Sequence, residues 1–491
     1  MSVPRCMSTQ HPDNVHPPFF ADHPVIQGEA EIREAYYAYS HLGCTEQMWD
    51  FEGKEVDAFV VKKLLSRYER YFRENRLGED VYLTLRVPNP RVETLEAKVL
   101  LETLESIPRS YDVASTFYGE NAPVPIFEVI LPMTSTAAEV ERIHHYYKEF
   151  VGGKESQRCH DVTVGEWLGA FHPDTIHVIP LIEERSYLLG VDDIVEPFVR
   201  DKDLPYLRVF LARSDPALNY GLISAVLLVK IALRRLTELE QTIGLPLYPI
   251  LGAGSAPFRG NLRPSRVADV VECHPSVQTF TIQSAFKYDH PEEEVQAALT
   301  VLGETPRQEA PEVDVAFCNR IIDKVSARYA ECVSELAPLI NEVASYVPQR
   351  RARKLHIGLF GYSRSLEGRE GIHLPRAIRF CSSLYSIGVP PEILGVGALS
   401  PSELRALSEH YVQLSQDMED SLSYLCEENL TQMPHIIREE AAAARAAFRC
   451  APDREHSELT RAILESVHHR AGQETIPELI ERAGTRRKFL G

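Results

Sequence analysis

The chain has 491 residues, 44% of them hydrophobic, enough for one elaborated barrel or for two to four ordinary domains. Its 52 Lys and Arg against 71 Asp and Glu give a formal net charge of −19, which excludes broad nucleic-acid binding but leaves room for a local basic pocket. Its 9 cysteines form no close CxxC pair, which argues against a structural zinc site or a disulfide frame and for a reducing compartment.

The start, MSVPRCMSTQHPDN, turns polar before any apolar run develops, so no signal peptide is expected. The longest apolar segment, Leu222 to Ile231, is too short to cross a bilayer and carries Lys230. A cytoplasmic protein without membrane association is predicted. Residues 1–25 carry little secondary-structure signal, yet Ser8-Thr9-Gln10-His11-Pro12-Asp13-Asn14 is a dense set of polar groups. It is either a free tail or a segment folded back over a pocket. His11 is the imidazole best suited to move a proton where arginines cannot. His144, His145, His468 and His469 sit inside predicted helices and read as surface or packing residues.

Gly28 to Leu42 reads as a helix, and Gln47 to Glu52 offers a short strand ending in acids. Residues 55–76 place Val56, Phe59, Val60, Leu64 and Leu65 near a 3.6-residue period, the mark of a helix packed on one face. A strand over 81–87 ends at Pro88-Asn89-Pro90, with Arg86 at its close; a helix over 92–106, a strand over 125–131 and a helix from Thr136 to Phe150 follow. The apolar runs 176–182 and 207–212 come next, one ending in Glu183-Glu184 and the other in Arg213-Ser214-Asp215. Such runs with a crossover between them predict neighbouring parallel strands, which end on the same side of a sheet. Glu183 or Glu184 then stands beside Asp215, two hard oxygen ligands forming a half-site for magnesium or manganese.

The run Tyr220 to Thr242 is strongly helical and is terminated by Gly244 and Pro246. Strands over 247–252 and 279–284, a helix over 313–347 and a strand over 355–360 complete the pattern. Counting Met48–Phe51 with the others gives eight strands separated mostly by helices, which predicts a closed (β/α)8 barrel. An open doubly wound sheet is the alternative, weakened by the lack of a glycine-rich dinucleotide fingerprint. Beyond Pro401 the chain reads as helical over 401–428, 433–449, 455–470 and 474–483, and these helices must brace the barrel or a subunit contact. The expected division is an N-terminal active-site segment (1–25), a barrel core (45–395) and a helical extension (396–491).

Arginines gather in the loops that follow strands. Gly252 to Pro264 combines glycines, which let backbone approach a ligand, with Arg259 and Arg263. Gly361-Tyr362-Ser363-Arg364-Ser365 repeats the arrangement, and Leu374-Pro375-Arg376 opens a helix, whose positive end favours an anion. With Arg86, these side chains beside two acids predict a polyanionic substrate held next to a divalent cation. A phosphorylated carboxylic acid fits this set better than DNA or RNA.

Met7-Ser8-Thr9-Gln10-His11-Pro12-Asp13-Asn14 resembles the opening motif of the short, archaeal-type phosphoenolpyruvate carboxylases, and the resemblance extends to the closing Arg486-Arg487-Lys488-Phe489-Leu490-Gly491. It implies a helix-decorated TIM barrel, usually tetrameric, that converts phosphoenolpyruvate and bicarbonate to oxaloacetate and phosphate with magnesium or manganese. The family's histidine motif falls on Thr9 to Pro12, giving His11 the proton transfer. The metal-binding glutamate of Pro180-Leu181-Ile182-Glu183 falls on Glu183, and the aspartate after Ser214 on Asp215. Phosphate-binding arginines fall on Arg364, Arg376 and Arg259. Two departures stand out: Ala253 sits near where longer relatives place a further arginine, and Leu218 where they carry a lysine. The anion contacts are then redistributed to Arg86, Arg263 or Lys287. Competing expectations are another metal-dependent enolate enzyme, such as a phosphoenolpyruvate mutase or an aldolase-like lyase, and a non-enzymatic helical scaffold that binds no divalent ion.

Overall fold

The structure, a computed structural model, describes residues 3–52, 56–352, 363–365, 371–449, 451–470 and 472–491. Eight strands form its centre: β1 (Cys6–Ser8), β2 (Glu46–Asp50), β3 (Tyr82–Arg86), β4 (Glu128–Leu131), β5 (His177–Ile182), β6 (Leu207–Ala212), β7 (Leu247–Gly252) and β8 (Thr279–Ile282). Each pairs in parallel with its neighbours in chain order, and β1 closes the ring between β8 and β2. The barrel is as predicted, and closure excludes the open sheet.

One strand of the ring is one that the sequence reading did not count. Residues 355–360 lie outside the described residues, and the ring is completed by Cys6–Ser8, within the segment read as a tail or lid. Three residues are too few to show a period, so this strand is set by tertiary pairing: Cys6, Met7 and Ser8 stand opposite Phe280, Thr281 and Ile282. Arg5 fixes its entry by donating to the carbonyls of Val277 and Gln278 at 2.7 and 2.9 Å.

Strand side chains alternate between the two faces, and the interior is layered accordingly. Met7, Met48, Ile130, Ile179, Leu181, Phe210, Ala212 and Ile250 make an apolar cluster of their own inside the ring. Their neighbours Trp49, Leu85, Val129, Val178, Ile182, Val209, Leu211 and Leu251 belong to the main core beneath the helices. One pleat below the apolar layer, Arg208 donates to Glu46 and Glu128, each contact at 2.7 Å, and to Thr279 at 3.2 Å. One pleat above it, at the strands' carboxyl ends, the polar groups of the site begin.

Around the ring lie α1 (Glu29–Ser40), α2 (Ser214–Tyr220), α3 (Leu222–Ile243), α4 (Ser284–Tyr288) and α5 (Val315–Ala344). Gly221, at φ 86°, breaks α2 from α3, where the sequence predicts a single helix from Tyr220; Gly244 closes α3 in the left-handed conformation. A two-stranded antiparallel ladder, β9 (Ser363–Ser365) and β10 (His373–Pro375), leads into α6 (Ala377–Ser386). The C-terminal helices include α7 (Leu414–Leu422), α8 (Arg454–His469) and α9 (Ile476–Arg487). The predicted helix over 401–428 is divided, with breaks at Tyr411 to Gln413 and before Glu427. The extension does brace the barrel: the backbone N–H of Leu490 donates to the Asp13 carbonyl at 2.7 Å.

Candidate active site

The period-two alternation that turns Leu181 inward carries Glu183 inward as well and turns Glu184 away, so the sequence ambiguity resolves to Glu183. On the adjacent strand, paired through Leu181–Phe210 and Ile182–Leu211, the chain leaves Ala212 and enters α2 with Ser214 and Asp215. Glu183 and Asp215 line one cavity of about 520 Å³, together with His11, Arg86, Arg259 and Arg376. Those are six of the predicted site residues, delivered by the ends of five different strands and the start of α6. Such convergence at the carboxyl face is how a closed barrel builds a site.

His11 follows β1, and its Nδ1 lies 2.9 Å from Thr9 Oγ1. Its backbone carbonyl accepts from Ser284 N at 3.2 Å, fixing the segment against the start of α4. Asp13, fully buried, accepts from Ala285 N at 2.7 Å and from Arg259 Nη1 at 3.2 Å. Burial pushes the Asp13 carboxyl above its usual range, while the Arg259 guanidinium works against that rise.

Arg259 leaves a single 3-10 turn, Pro257–Arg259, in the loop after β7. Its Nε donates to Ser214 Oγ at 3.1 Å, Nη1 to the Gly491 carbonyl oxygen at 2.8 Å, and Nη2 to Gln283 Oε1 at 2.5 Å. This one guanidinium therefore ties together the ends of β1, β6 and β8. Arg86 is held differently. It donates to both oxygens of Asp50, at 2.8 and 2.7 Å, and lies 3.1 Å from Glu52. Burial alone would lower its pKa, but Asp50 and Glu52 raise it, so the group is a fixed charge.

Arg376 stands at the cap position of α6, with Pro375, Ala377 and Ile378 also on the cavity wall. The Arg364 side chain lies outside what the structure describes; its backbone pairs with Leu374 in the β9–β10 ladder, two residues before Arg376. Two further candidates stand away from this cavity. Arg263 donates to Asp420 on α7 at 2.6 Å and is not among the residues that line the cavity. Gly260, at φ +124°, turns the loop between Arg259 and Arg263, sending the two side chains to opposite sides. Lys287 is also committed elsewhere, donating to Ser8 Oγ, the Thr9 carbonyl and Glu34 at 3.1, 2.9 and 3.0 Å. It supports β1 from behind.

Sequence reasoning missed Glu52, Arg213, Gln283, Arg350 and Arg351, all of which line the cavity. Gln283 was detectable, because it continues the inward alternation of Thr279 and Thr281. Arg350 and Arg351 were not, since they follow α5 in a stretch without periodicity.

Comparison with known proteins gives a single answer. A family model described as phosphoenolpyruvate carboxylase matches residues 3–491. Phosphoenolpyruvate carboxylases of Methanospirillum hungatei and Methanothermobacter thermautotrophicus are each 52% identical to this chain over the whole of both sequences. That of Halobacterium salinarum is 47% identical, again over the whole of both.

Proposed function

The chain belongs to the phosphoenolpyruvate carboxylase family, and from that premise we propose how its cavity performs the family's reaction. The enzyme is a lyase that joins phosphoenolpyruvate and bicarbonate to give oxaloacetate and phosphate. The observation that carries the residue assignment is one cavity lined by His11, Glu183, Asp215, Arg259 and Arg376.

Enzymes of this family require a divalent cation. Among the described residues no group of three or more His, Cys, Asp or Glu could hold one by itself. The donor set nevertheless suits a small hard ion, since magnesium commonly takes one or two carboxylates and fills its other positions with water and substrate oxygens. Glu183 and Asp215 would hold it; magnesium or manganese there supplies positive charge to phosphate and enolate oxygens.

The rest falls to the protein. Arg376, Arg364 and Arg259 bind the phosphoryl group as it passes from phosphoenolpyruvate to bicarbonate. Arg86, neutralised by Asp50 and Glu52, shapes the wall more than it binds substrate. With Nδ1 engaged by Thr9, Nε2 of His11 is the nitrogen assigned to take the proton from carboxyphosphate as carbon dioxide is released. Carbon dioxide and enolate must then combine without water, which would protonate the enolate to pyruvate.

The test is product partitioning. In His11→Asn, oxaloacetate formation is lost while bicarbonate-dependent phosphate release persists; equal loss of both would remove His11 from the late proton transfer. Glu183→Ala and Asp215→Ala each lower kcat/KM by about 10²–10⁴-fold, several kcal/mol of lost charge stabilisation. An oxaloacetate assay with and without bicarbonate separates carboxylation from a mutase or an aldolase-like lyase. We further place the enzyme in the cytoplasm as a homotetramer. The thiols described are free, as a reducing compartment leaves them. Trp167 and Leu168, 65% and 61% exposed, offer apolar surface to a neighbouring copy. Light scattering on the eluting protein reads the assembly directly.

A further inference from the structure

Behind the active-site wall lies a second, much smaller cavity of about 20 Å³, between the Gly252–Asn261 loop and the C-terminal helices. Arg213, the residue after β6, lines both cavities and is 2% exposed. Three buried polar atoms on the small cavity's lining residues have no hydrogen-bond partner among the described residues: Arg213 Nη1, Asn261 Oδ1 and His274 Nε2.

Their chemistry is complementary. Arg213 can only donate. Asn261 spends its amide N–H groups on Asp417, at 2.7 Å, and Asp420, at 3.1 Å, so its oxygen is left to accept. His274 Nδ1 lies 3.2 Å from the Val270 carbonyl, which accepts only, so Nδ1 carries the proton and Nε2 accepts. Burial, with Lys230 and Arg213 nearby, pushes the His274 pKa well below its usual value and keeps the ring neutral. One donor and two acceptors around a space of this size match a single water molecule, which accepts once and donates twice.

We propose that this cavity is a one-water site, and that the water joins Arg213 to the Asn261 loop and to His274, fixing the strand end that bears Ser214 and Asp215. The connections run both ways from the node. Arg213 is the cap residue of α2, whose first turn holds Asp215. Its Cγ lies 3.5 Å from where a side chain on Gly260 would begin, so its stem rests on the loop that positions Arg259. Asn261 and Tyr411 both donate to Asp417, which anchors the node to α7. Arg213 and His274 are thus positioning residues, acting through the water on groups that touch substrate and cation. The inference rests on the reading of Asp215 as a metal ligand.

The test has two parts. A crystal structure of the wild-type enzyme at about 1.8 Å or better shows an isolated density peak within about 2.7–3.2 Å of all three atoms. An empty cavity, or one filled by a side chain, overturns the proposal without recourse to any variant. Manganese binding to the full-length protein, followed by electron paramagnetic resonance, then reads the positioning. His274→Phe, which removes the acceptor and fills the space, and Arg213→Met both weaken binding about tenfold; His274→Gln, which keeps an acceptor, restores most of it. Unchanged affinity in His274→Phe and Arg213→Met, while Asp215→Ala abolishes binding, overturns the node alone. Unchanged affinity in Asp215→Ala overturns the metal assignment beneath it.

Discussion

Gly254 lacks a side chain where Arg259 needs the room: a Cβ there would come within 2.8 Å of the guanidinium carbon. The clash would fall on a guanidinium that Ser214, Asp13, Gly491 and Gln283 hold in place, so relieving it displaces the group and gives up some of those buried hydrogen bonds. Gly254→Ala is therefore expected to lower the melting temperature and to lower kcat/KM roughly 10–100-fold, the size of effect a 1 Å misplacement produces. A melting scan beside a carboxylation assay checks both halves. At this scale the sequence was only partly legible. Arg259 and Arg263 looked alike, four residues apart in one glycine-rich loop. Only the turn at Gly260 separates the one facing Asp13 and Gln283 from the one facing Asp420.

At the scale of the element, the strand period carries most of the site. The two-residue repeat that orders Arg208, Phe210 and Ala212 in β6 sets an ionic layer below and an apolar layer above it, with the reactive groups just past the strand ends. The lower layer is a stability device remote from the chemistry. Arg208→Met would leave Glu46 and Glu128 buried without their cation, a loss of about 3–5 kcal/mol. Denaturant unfolding should show that loss, with KM for phosphoenolpyruvate unchanged in the protein that remains folded. Strand periodicity was readable in advance wherever a run reached four residues, which is why seven strands and the acids at two of their ends were found. It failed at Cys6–Ser8, where neighbours across the ring, and no local pattern, impose the extended conformation.

Across the whole molecule, residues far apart in the chain hold the N-terminal segment in place. Asp289, just past α4, accepts from the N–H groups of Val15 and His16 at 2.7 and 3.1 Å. Burial pushes its carboxyl up to about 7, against the downward pull of those two hydrogen bonds. The folded protein therefore keeps a proton there that the unfolded chain, with a carboxyl pKa of about 4, has released. The stability this contributes is complete below about pH 4 and is lost as pH rises through 7. Asp289→Asn, which cannot ionise, should flatten that part of the profile when unfolding free energy is measured between pH 4 and pH 8. Nothing in the sequence marked Asp289 for this task, because its partners are more than 270 positions away.

The same separation has a consequence for biosynthesis. The first strand leaves the ribosome long before Phe280, its register partner on the eighth, has been translated. Until then the ring has a gap beside the histidine. A nascent chain that reaches Gly252 already carries both acids but cannot yet seat the imidazole beside them, and Arg376 is still to come, so translation must run well past residue 290 before a competent catalyst exists.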